Sequence, residues 1–258
     1  MAAKDKVTNL YTKAAFCGNG VSWVGSELFR PLGGQTYLCA MPLDTAIFDM
    51  DGLLIDSEPL WYEAAKEVLN ELGHDMDEAT YATTVGLRTR EFIEHWFQVY
   101  GIGMEHAEAS DRDITERVIR KVREKGTLMP GVSEAIAMLK AAGLKLGLAT
   151  SSPMELVNAV LERTGLTGRF AALHSAEHLP YGKPHPQVYL DCASSLGSNP
   201  TRCVCFEDSF NGMIAAKAAR MKCVVVPHPD FLDRPVWQTA DLKLASLEEL
   251  RPSHISRL

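Results

Sequence analysis

The sequence predicts an α/β protein with a doubly wound parallel sheet and an inserted helical cap domain. Two observations predict this class. Short apolar runs alternate with helical segments over residues 130–226, whereas residues 58–129 carry helical patterns alone. Strands that alternate with helices favour a parallel sheet covered on both faces, with right-handed crossovers. The helical stretch then forms a smaller second domain over the edge of the sheet.

The composition is that of an ordinary globular protein. Its 258 residues are 46% hydrophobic and 23% charged, which leaves room for a domain with an insertion. A net charge of -7 argues against a nucleic-acid partner, and no apolar run has the length of a membrane span. The six cysteines show no CxxC pair and no disulfide spacing, so they are expected to be reduced. We expect a cytoplasmic monomer with no membrane partner.

Residues 1–40 show neither the apolar core of a signal peptide nor a clean periodicity. We expect a poorly ordered N-terminal extension ahead of the first strand. Met41 lies close before that strand and could serve as a second start. A mobile tail, a weak targeting sequence and an upstream start-site artefact therefore stay open as three interpretations.

The first strand ends in two carboxylates. The apolar run Ala46–Phe48 has the residue types of a buried strand and is followed by Asp49, Met50, Asp51 and Gly52. Side chains at i and i+2 share one face of an extended chain, so the two aspartates lie side by side. Such a pair favours a bound divalent cation such as Mg2+. The alternative is an ordinary turn after a strand.

The remaining periodicity divides the chain into core and cap. Apolar residues recur at helical spacing over 58–72, 91–100 and 111–123. We assign residues 41–57 and 130–258 to the core and residues 58–129 to the cap. Ligands of such folds bind beyond the carboxyl ends of the strands. The predicted core strands are 144–149, 170–173, 203–206 and 223–226, and the predicted core helices are 130–143, 155–163, 186–196 and 211–220.

Three further polar stretches follow core strands or lie between them. Thr150-Ser151-Ser152 could hold phosphate oxygens through hydroxyl and backbone N–H groups, although Ser or Thr before a proline is also a helix N-cap. Lys183 lies on a stiff loop between glycine and proline, which suits an ammonium aimed at an anion, although most lysines are solvated. Glu207-Asp208 could complete a cation site or simply begin a helix.

Taken together, the four stretches predict one cluster at one end of the sheet. The string from Phe48 to Glu58, Phe-Asp-Met-Asp-Gly-Leu-Leu-Ile-Asp-Ser-Glu, resembles the first motif of the haloacid dehalogenase-like phosphohydrolases, in their sugar-phosphatase and phosphoglucomutase-like branch. The other three stretches match the remaining motifs in order. The resemblance runs from about Pro42 to about Leu250 and implies a helical cap on an α/β core.

The resemblance also implies the residue roles. Asp49 is the nucleophile that becomes a phosphoaspartate, and Asp51 is the general acid and base. Thr150, the Ser151 backbone and Lys183 bind the transferring phosphoryl oxygens.

The implied cofactor is Mg2+. It is held by the Asp49 carboxylate, the Asp51 carbonyl and Asp208, with Glu207 acting through water. In the cap, Arg88 could recognise sugar hydroxyls or a second anionic group, or lie exposed on the surface.

The expected function is Mg2+-dependent hydrolysis of small sugar or sugar-alcohol phosphates. One alternative is phosphoryl transfer of the β-phosphoglucomutase type, since the same motifs serve both reactions. Another is a non-catalytic sugar-phosphate binding protein on the same fold, because fold does not determine function. An intact pair of Asp49 and Asp51 argues against the binding protein, which has no need of a nucleophile beside an acid.

Overall fold

The computed structural model describes residues 22–24, 27–32, 35–38, 43–84 and 86–258. The chain divides into two compact units, Met1–Pro42 and Leu43–Leu258. In the first unit, β1 (Ser22–Val24), β2 (Glu27–Leu32) and β3 (Gln35–Leu38) form an antiparallel sheet in that order. The sequence pattern did not predict these strands. The poor order expected of residues 1–40, and the core and cap boundaries, stay predictions.

The second unit is built on a six-stranded parallel sheet with the order β6-β5-β4-β7-β8-β9. This confirms the predicted α/β class. The strands are β4 (Thr45–Phe48), β5 (Lys145–Thr150), β6 (Ala172–Ser175), β7 (Cys203–Glu207), β8 (Lys222–Val225) and β9 (Leu242–Lys243). The last strand, of two residues, was not predicted because it is too short to show an alternation.

One predicted strand lies two residues too early. We expected residues 170–173, whereas β6 begins at Ala172. The prediction started the strand at Phe170 because that residue is apolar. Phe170 is buried, but it packs edge-on against Phe48, with 5.9 Å between the ring centroids, and is not part of the strand.

Helices cover both faces of the sheet and an apolar cluster fills each side. Alternate residues divide between the two clusters: Val204 and Phe206 of β7 join one, whereas Cys203 and Cys205 join the other as buried free thiols. The helices that follow the core strands are α5 (Val132–Ala141), α6 (Met154–Thr164), α7 (Gln187–Ser195), α8 (Phe210–Ala218) and α9 (Pro252–Ile255).

Four helices lie between β4 and α5, namely α1 (Glu58–Glu71), α2 (Glu78–Tyr81), α3 (Thr89–Tyr100) and α4 (Ala107–Lys125). Helices α1 and α4 pack together and are joined by ion pairs, including Lys121 Nζ with Glu67 at 2.7 Å. Among the described residues, none of the helices is long and apolar enough to cross a membrane.

Candidate active site

The carboxyl ends of three neighbouring strands meet at the centre of the sheet. Phe48 of β4 pairs with Leu148 of β5 on one side and with Phe206 of β7 on the other. Asp49 follows directly, and its N–H continues the ladder by donating to the Phe206 carbonyl at 3.0 Å. The parallel register therefore brings the polar residues that end these strands to one edge, as the sequence predicted.

Lys183 lies at the centre of this edge and is 5% exposed. Its ammonium is 2.7 Å from Asp49 Oδ1, 2.7 Å from Glu207 Oε1 and 3.0 Å from the Ala149 carbonyl. Burial lowers the pKa of Lys183, but the charges of Asp49 and Glu207 outweigh burial and raise that pKa above its ordinary value. The site therefore holds a fixed positive charge beside the carboxylate of Asp49.

Glu207 is fully buried and both of its carboxylate oxygens have donors. Oε1 accepts from Lys183 and from the Tyr189 hydroxyl at 2.6 Å, while Oε2 accepts from Ser209 Oγ at 3.0 Å. A Cβ at Gly212 would overlap this carboxylate, so the glycine makes room for it. In this arrangement Glu207 is the counter-ion of Lys183. Its predicted contact with a metal through water stays a prediction.

Three carboxylates gather where a cation is expected. Oxygens of Asp49, Glu207 and Asp208 all lie within 4.8 Å of one another. Burial raises the pKa of Asp49 to about 7, where the charge of Lys183 opposes and that of Glu207 assists the shift. Burial, then the charges of Glu207 and Asp49, raises the pKa of Asp208 well above its ordinary value. This all-oxygen donor set fits Mg2+, whose charge would offset the crowding of negative groups.

The Asp51 carboxylate is oriented by three donors. Oδ1 accepts from Ser57 Oγ at 2.6 Å and from Trp61 Nε1 at 3.0 Å, and Oδ2 accepts from Ser152 Oγ at 2.6 Å. Ser57 precedes α1, yet its hydroxyl binds Asp51 instead of capping that helix. The sequence did not identify Ser57, Trp61 or Ser152 as the residues that orient Asp51. The hydroxyl-rich loop was a signal, but spacing does not show which hydroxyl turns toward Asp51.

In the predicted phosphate-binding loop, the hydroxyl groups of Thr150 and Ser151 differ in whether they have a hydrogen-bond partner. Thr150 Oγ1 accepts from the Ser152 N–H at 3.1 Å. Ser151 Oγ is buried and has no hydrogen-bond partner among the described residues. A buried hydroxyl without a partner is costly, so a ligand oxygen is the natural partner for Ser151.

Arg88 lines the same cleft, but its donors are directed to protein groups. Nη2 and Nε bind Glu91 Oε1 at 2.6 and 2.9 Å, and Nη1 donates to the Leu179 carbonyl at 2.8 Å. The guanidinium thus connects α3 with the loop that leads to Lys183. A role of Arg88 in substrate binding stays a prediction.

The cleft encloses roughly 720 Å³ of space open to solvent. From the sheet side it is lined by Asp49, Thr150, Ser151 and Lys183. From the helical segment it is lined by Glu58, Trp61, Tyr81, Phe92 and Arg88, among others. Glu58 Oε2 accepts from the Tyr81 hydroxyl at 3.1 Å, and burial, with the charge of Asp51, raises the pKa of Glu58 to about 7.

Comparison with known proteins gives matches over most of the chain. A family model described as haloacid dehalogenase-like hydrolase matches residues 43–220. Hexitol phosphatase B of Escherichia coli (strain K12) is 50% identical over 208 residues, which cover 80% of this chain and 93% of that protein. The fructose-1-phosphate phosphatase YqaB of the same organism is 33% identical over 181 residues, covering 70% of this chain and 94% of that protein.

A solved structure shares the architecture. The crystal structure of CbbY from Rhodobacter sphaeroides in complex with phosphate aligns with a TM-score of 0.75 and 27% identity, covering 84% of this chain and all of that chain. The similarity therefore extends across both the sheet and the helical segment that faces the cleft.

Proposed function

We propose that this chain, which belongs to the haloacid dehalogenase-like hydrolases, is a Mg2+-dependent phosphatase of small sugar or sugar-alcohol phosphates. The comparisons confirm the family and the hydrolase class predicted from the motifs. The observation that carries the proposal is the 2.7 Å contact between Lys183 Nζ and the Asp49 carboxylate, in a cleft that is also lined by Asp51.

In the proposed first step, an Asp49 carboxylate oxygen attacks the phosphorus of the ester. The new O–P bond forms as the bond to the sugar oxygen breaks, and Asp51 gives its proton to the departing alkoxide. In the second step, water loses a proton to Asp51 and attacks the phosphoaspartate. The bond to Asp49 then breaks, inorganic phosphate leaves, and both aspartates return to their starting states.

The hydrogen bonds to Asp51 support its role as acid and base. Ser57 and Trp61 hold one oxygen and Ser152 holds the other, so the carboxylate is fixed before substrate arrives. Preorganised groups avoid the cost of reorientation during the reaction. We assign the phosphoryl oxygens to Lys183, Thr150 and Ser151, whose hydroxyl lacks a partner in the described structure.

The metal ligands belong to the same proposal. Asp49, the Asp51 carbonyl and Asp208 would hold Mg2+, with Glu207 acting through water. A bound Mg2+ ion neutralises charge on the phosphoryl oxygens. Glu207 has the further task of holding Lys183, because its two oxygens already accept bonds from Lys183, Tyr189 and Ser209.

The substrate class is inferred from the relatives and from the cleft. The two phosphatases described above are named for hexitol and fructose 1-phosphate substrates, and in this chain the helical segment contributes further side chains to the cleft. Phosphoryl transfer to a sugar, as in β-phosphoglucomutase, is the alternative, since it uses the same nucleophile. We further propose that the enzyme works as a monomer in the cytoplasm.

The test is phosphate release from a panel of esters, including sorbitol 6-phosphate, 2-deoxyglucose 6-phosphate and phenyl phosphate, with Mg2+ and with EDTA. We expect release that requires Mg2+ and disappears in Asp49→Asn. Asp77→Asn is the matched control, because Asp77 is exposed and asparagine also caps a helix. Activity that survives in Asp49→Asn would refute the nucleophile assignment, and interconversion of sugar phosphates without net release would favour the mutase.

A further inference from the structure

Glu58 occupies the first turn of α1, immediately after the residues that orient Asp51. Its neighbours Ser57 and Trp61 both bind Asp51, and Glu58 itself lines the cleft. Glu58 has no role in the reaction steps proposed above. A half-buried carboxylate in a substrate cleft nevertheless needs hydrogen-bond donors.

Protein donors meet only part of this need. The Tyr81 hydroxyl donates to Oε2 at 3.1 Å, but no described residue donates to Oε1. An ionised carboxylate has about four acceptor positions on its two oxygens. Glu58 therefore lines the cleft with unused acceptor capacity.

Two other polar side chains that line the cleft from the helical segment are already engaged. Thr84 Oγ1 accepts from Trp96 Nε1 at 3.1 Å and donates to the Tyr81 carbonyl at 3.0 Å. Arg88 binds Glu91 and the Leu179 carbonyl. Beside Glu58, the wall includes the apolar side chains of Ala65, Leu87, Phe92 and Ile114.

Charge determines which part of a substrate can lie here. An ionised Glu58 repels a phosphate oxygen, whereas Lys183 and the Ser151 hydroxyl attract it. A chain of hydroxyl groups, in contrast, supplies the O–H donors that a carboxylate accepts. This orientation places the phosphate against Asp49 and the polyol against Glu58.

We propose that Glu58, held by the Tyr81 hydroxyl, determines substrate specificity by accepting hydrogen bonds from the hydroxyl groups of the sugar or polyol. This inference rests on the proposed phosphatase function and adds the group that recognises the organic part of the ester. Tyr81 is a positioning residue in this scheme, since its hydroxyl fixes one oxygen of Glu58 and leaves the other for substrate.

The experiment compares sorbitol 6-phosphate, which offers hydroxyl donors, with phenyl phosphate, which offers none. Both are assayed with Mg2+ in the wild type, Glu58→Gln and Tyr81→Phe. For Glu58→Gln we expect kcat/KM on sorbitol 6-phosphate to fall by about 10- to 100-fold, mainly through KM, since charged hydrogen bonds are lost. On phenyl phosphate we expect a change below about 3-fold, because that ester makes no such bond.

Tyr81→Phe removes one hydroxyl and should show the same substrate-selective pattern at about a third of the size or less. This variant also tests the inference if Glu58→Gln folds poorly. Glu63→Gln is the matched control: it makes the same change on the same helix, where the carboxylate binds Lys121 and Lys125 instead. We expect it to keep wild-type values for both esters.

Equal losses on both esters would overturn the inference, because they would mean that Glu58 acts on the shared chemistry through Asp51. Unchanged kinetics on both esters would overturn it as well. If the wild type hydrolyses neither ester, the proposed phosphatase function itself fails and the inference fails with it. That outcome is distinguishable, since it appears before any substitution is made.

Discussion

Arg88 Nη1 donates a 2.8 Å hydrogen bond to the carbonyl oxygen of Leu179, and so joins the start of α3 to the loop that carries Lys183. Glu91 holds the same guanidinium at 2.6 Å. The side chain passes directly over Gly182, where a Cβ would lie 2.8 Å from Arg88 Nε. The helical segment and the loop that carries Lys183 are therefore linked at Leu179, and Arg88 lies against Gly182, the residue before Lys183.

We expect Arg88→Ala to lower kcat/KM by about 10-fold on every phosphate ester, because the loss of a charged hydrogen bond loosens the Lys183 loop for all substrates. The measurement is steady-state kinetics on sorbitol 6-phosphate and phenyl phosphate. Arg90→Ala is the control, since Arg90 is 60% exposed and binds only Glu94 among the described residues. A loss confined to sorbitol 6-phosphate would instead indicate direct substrate recognition by Arg88.

Removing the Lys183 charge should destabilise the fold as well as abolish activity. Lys183→Met leaves the buried carboxylates of Asp49 and Glu207 without their shared cation, so we expect a loss of about 3–5 kcal/mol in the free energy of unfolding without Mg2+. Urea unfolding measures it.

The partner variant Glu207→Gln separates the ion pair from packing. Lys183 and Glu207 interact directly. The loss in the free energy of unfolding in the double variant of Lys183→Met and Glu207→Gln should therefore be smaller than the sum of the two single losses, by about 0.5–3 kcal/mol. Strict additivity would show that the 2.7 Å contact between Lys183 and Glu207 contributes no coupling.

The adjacent serines Ser151 and Ser152 should affect different measurements. Ser152 donates to Asp51, so Ser152→Ala should lower kcat/KM, which reports the steps up to departure of the alkoxide, about 10-fold on a sugar phosphate, whose alkoxide needs a proton to leave. On p-nitrophenyl phosphate the same variant should be almost unaffected, since that leaving group departs as a stable anion. Equal effects on both esters would show that Ser152 does not act through the acid.

Ser151→Ala provides the contrast. The Ser151 hydroxyl has no partner among the described residues, so its removal should not destabilise the fold and could add up to about 1 kcal/mol. In thermal unfolding, Ser151→Ala should match or exceed the wild type. If the hydroxyl binds a phosphoryl oxygen, KM should rise on all esters alike.

Mg2+ should stabilise the folded protein. An ion bound among Asp49 and Asp208 offsets crowded negative charges in the folded state, so at 100 times its Kd it should add about 2.7 kcal/mol to the free energy of unfolding. The check is the shift in Tm between EDTA and increasing Mg2+ at constant ionic strength. Asp208→Asn should remove most of this shift, and a full shift in that variant would exclude Asp208 as a ligand.

The sequence by itself determined the layer architecture and the types of group at the strand ends. Apolar runs separated by helical periodicity are read directly from local spacing, and they predicted β4, β5 and β7 to within one residue at each end. Asp49, Thr150 and Glu207 were identifiable because each ends or follows such a run. In a parallel sheet, residues at the ends of neighbouring strands come together whatever the length of chain between them.

Only the tertiary structure decided which of these groups touch. Ser152 and Asp51 are 101 residues apart in sequence, and Lys183 and Asp49 are 134 apart. Periodicity states whether a side chain is buried, but the partner of a side chain depends on rotamer and on the exact end of a distant strand. For that reason the choice of Ser152 over Ser151, and the turning of Arg88 toward Leu179, could not be read from spacing.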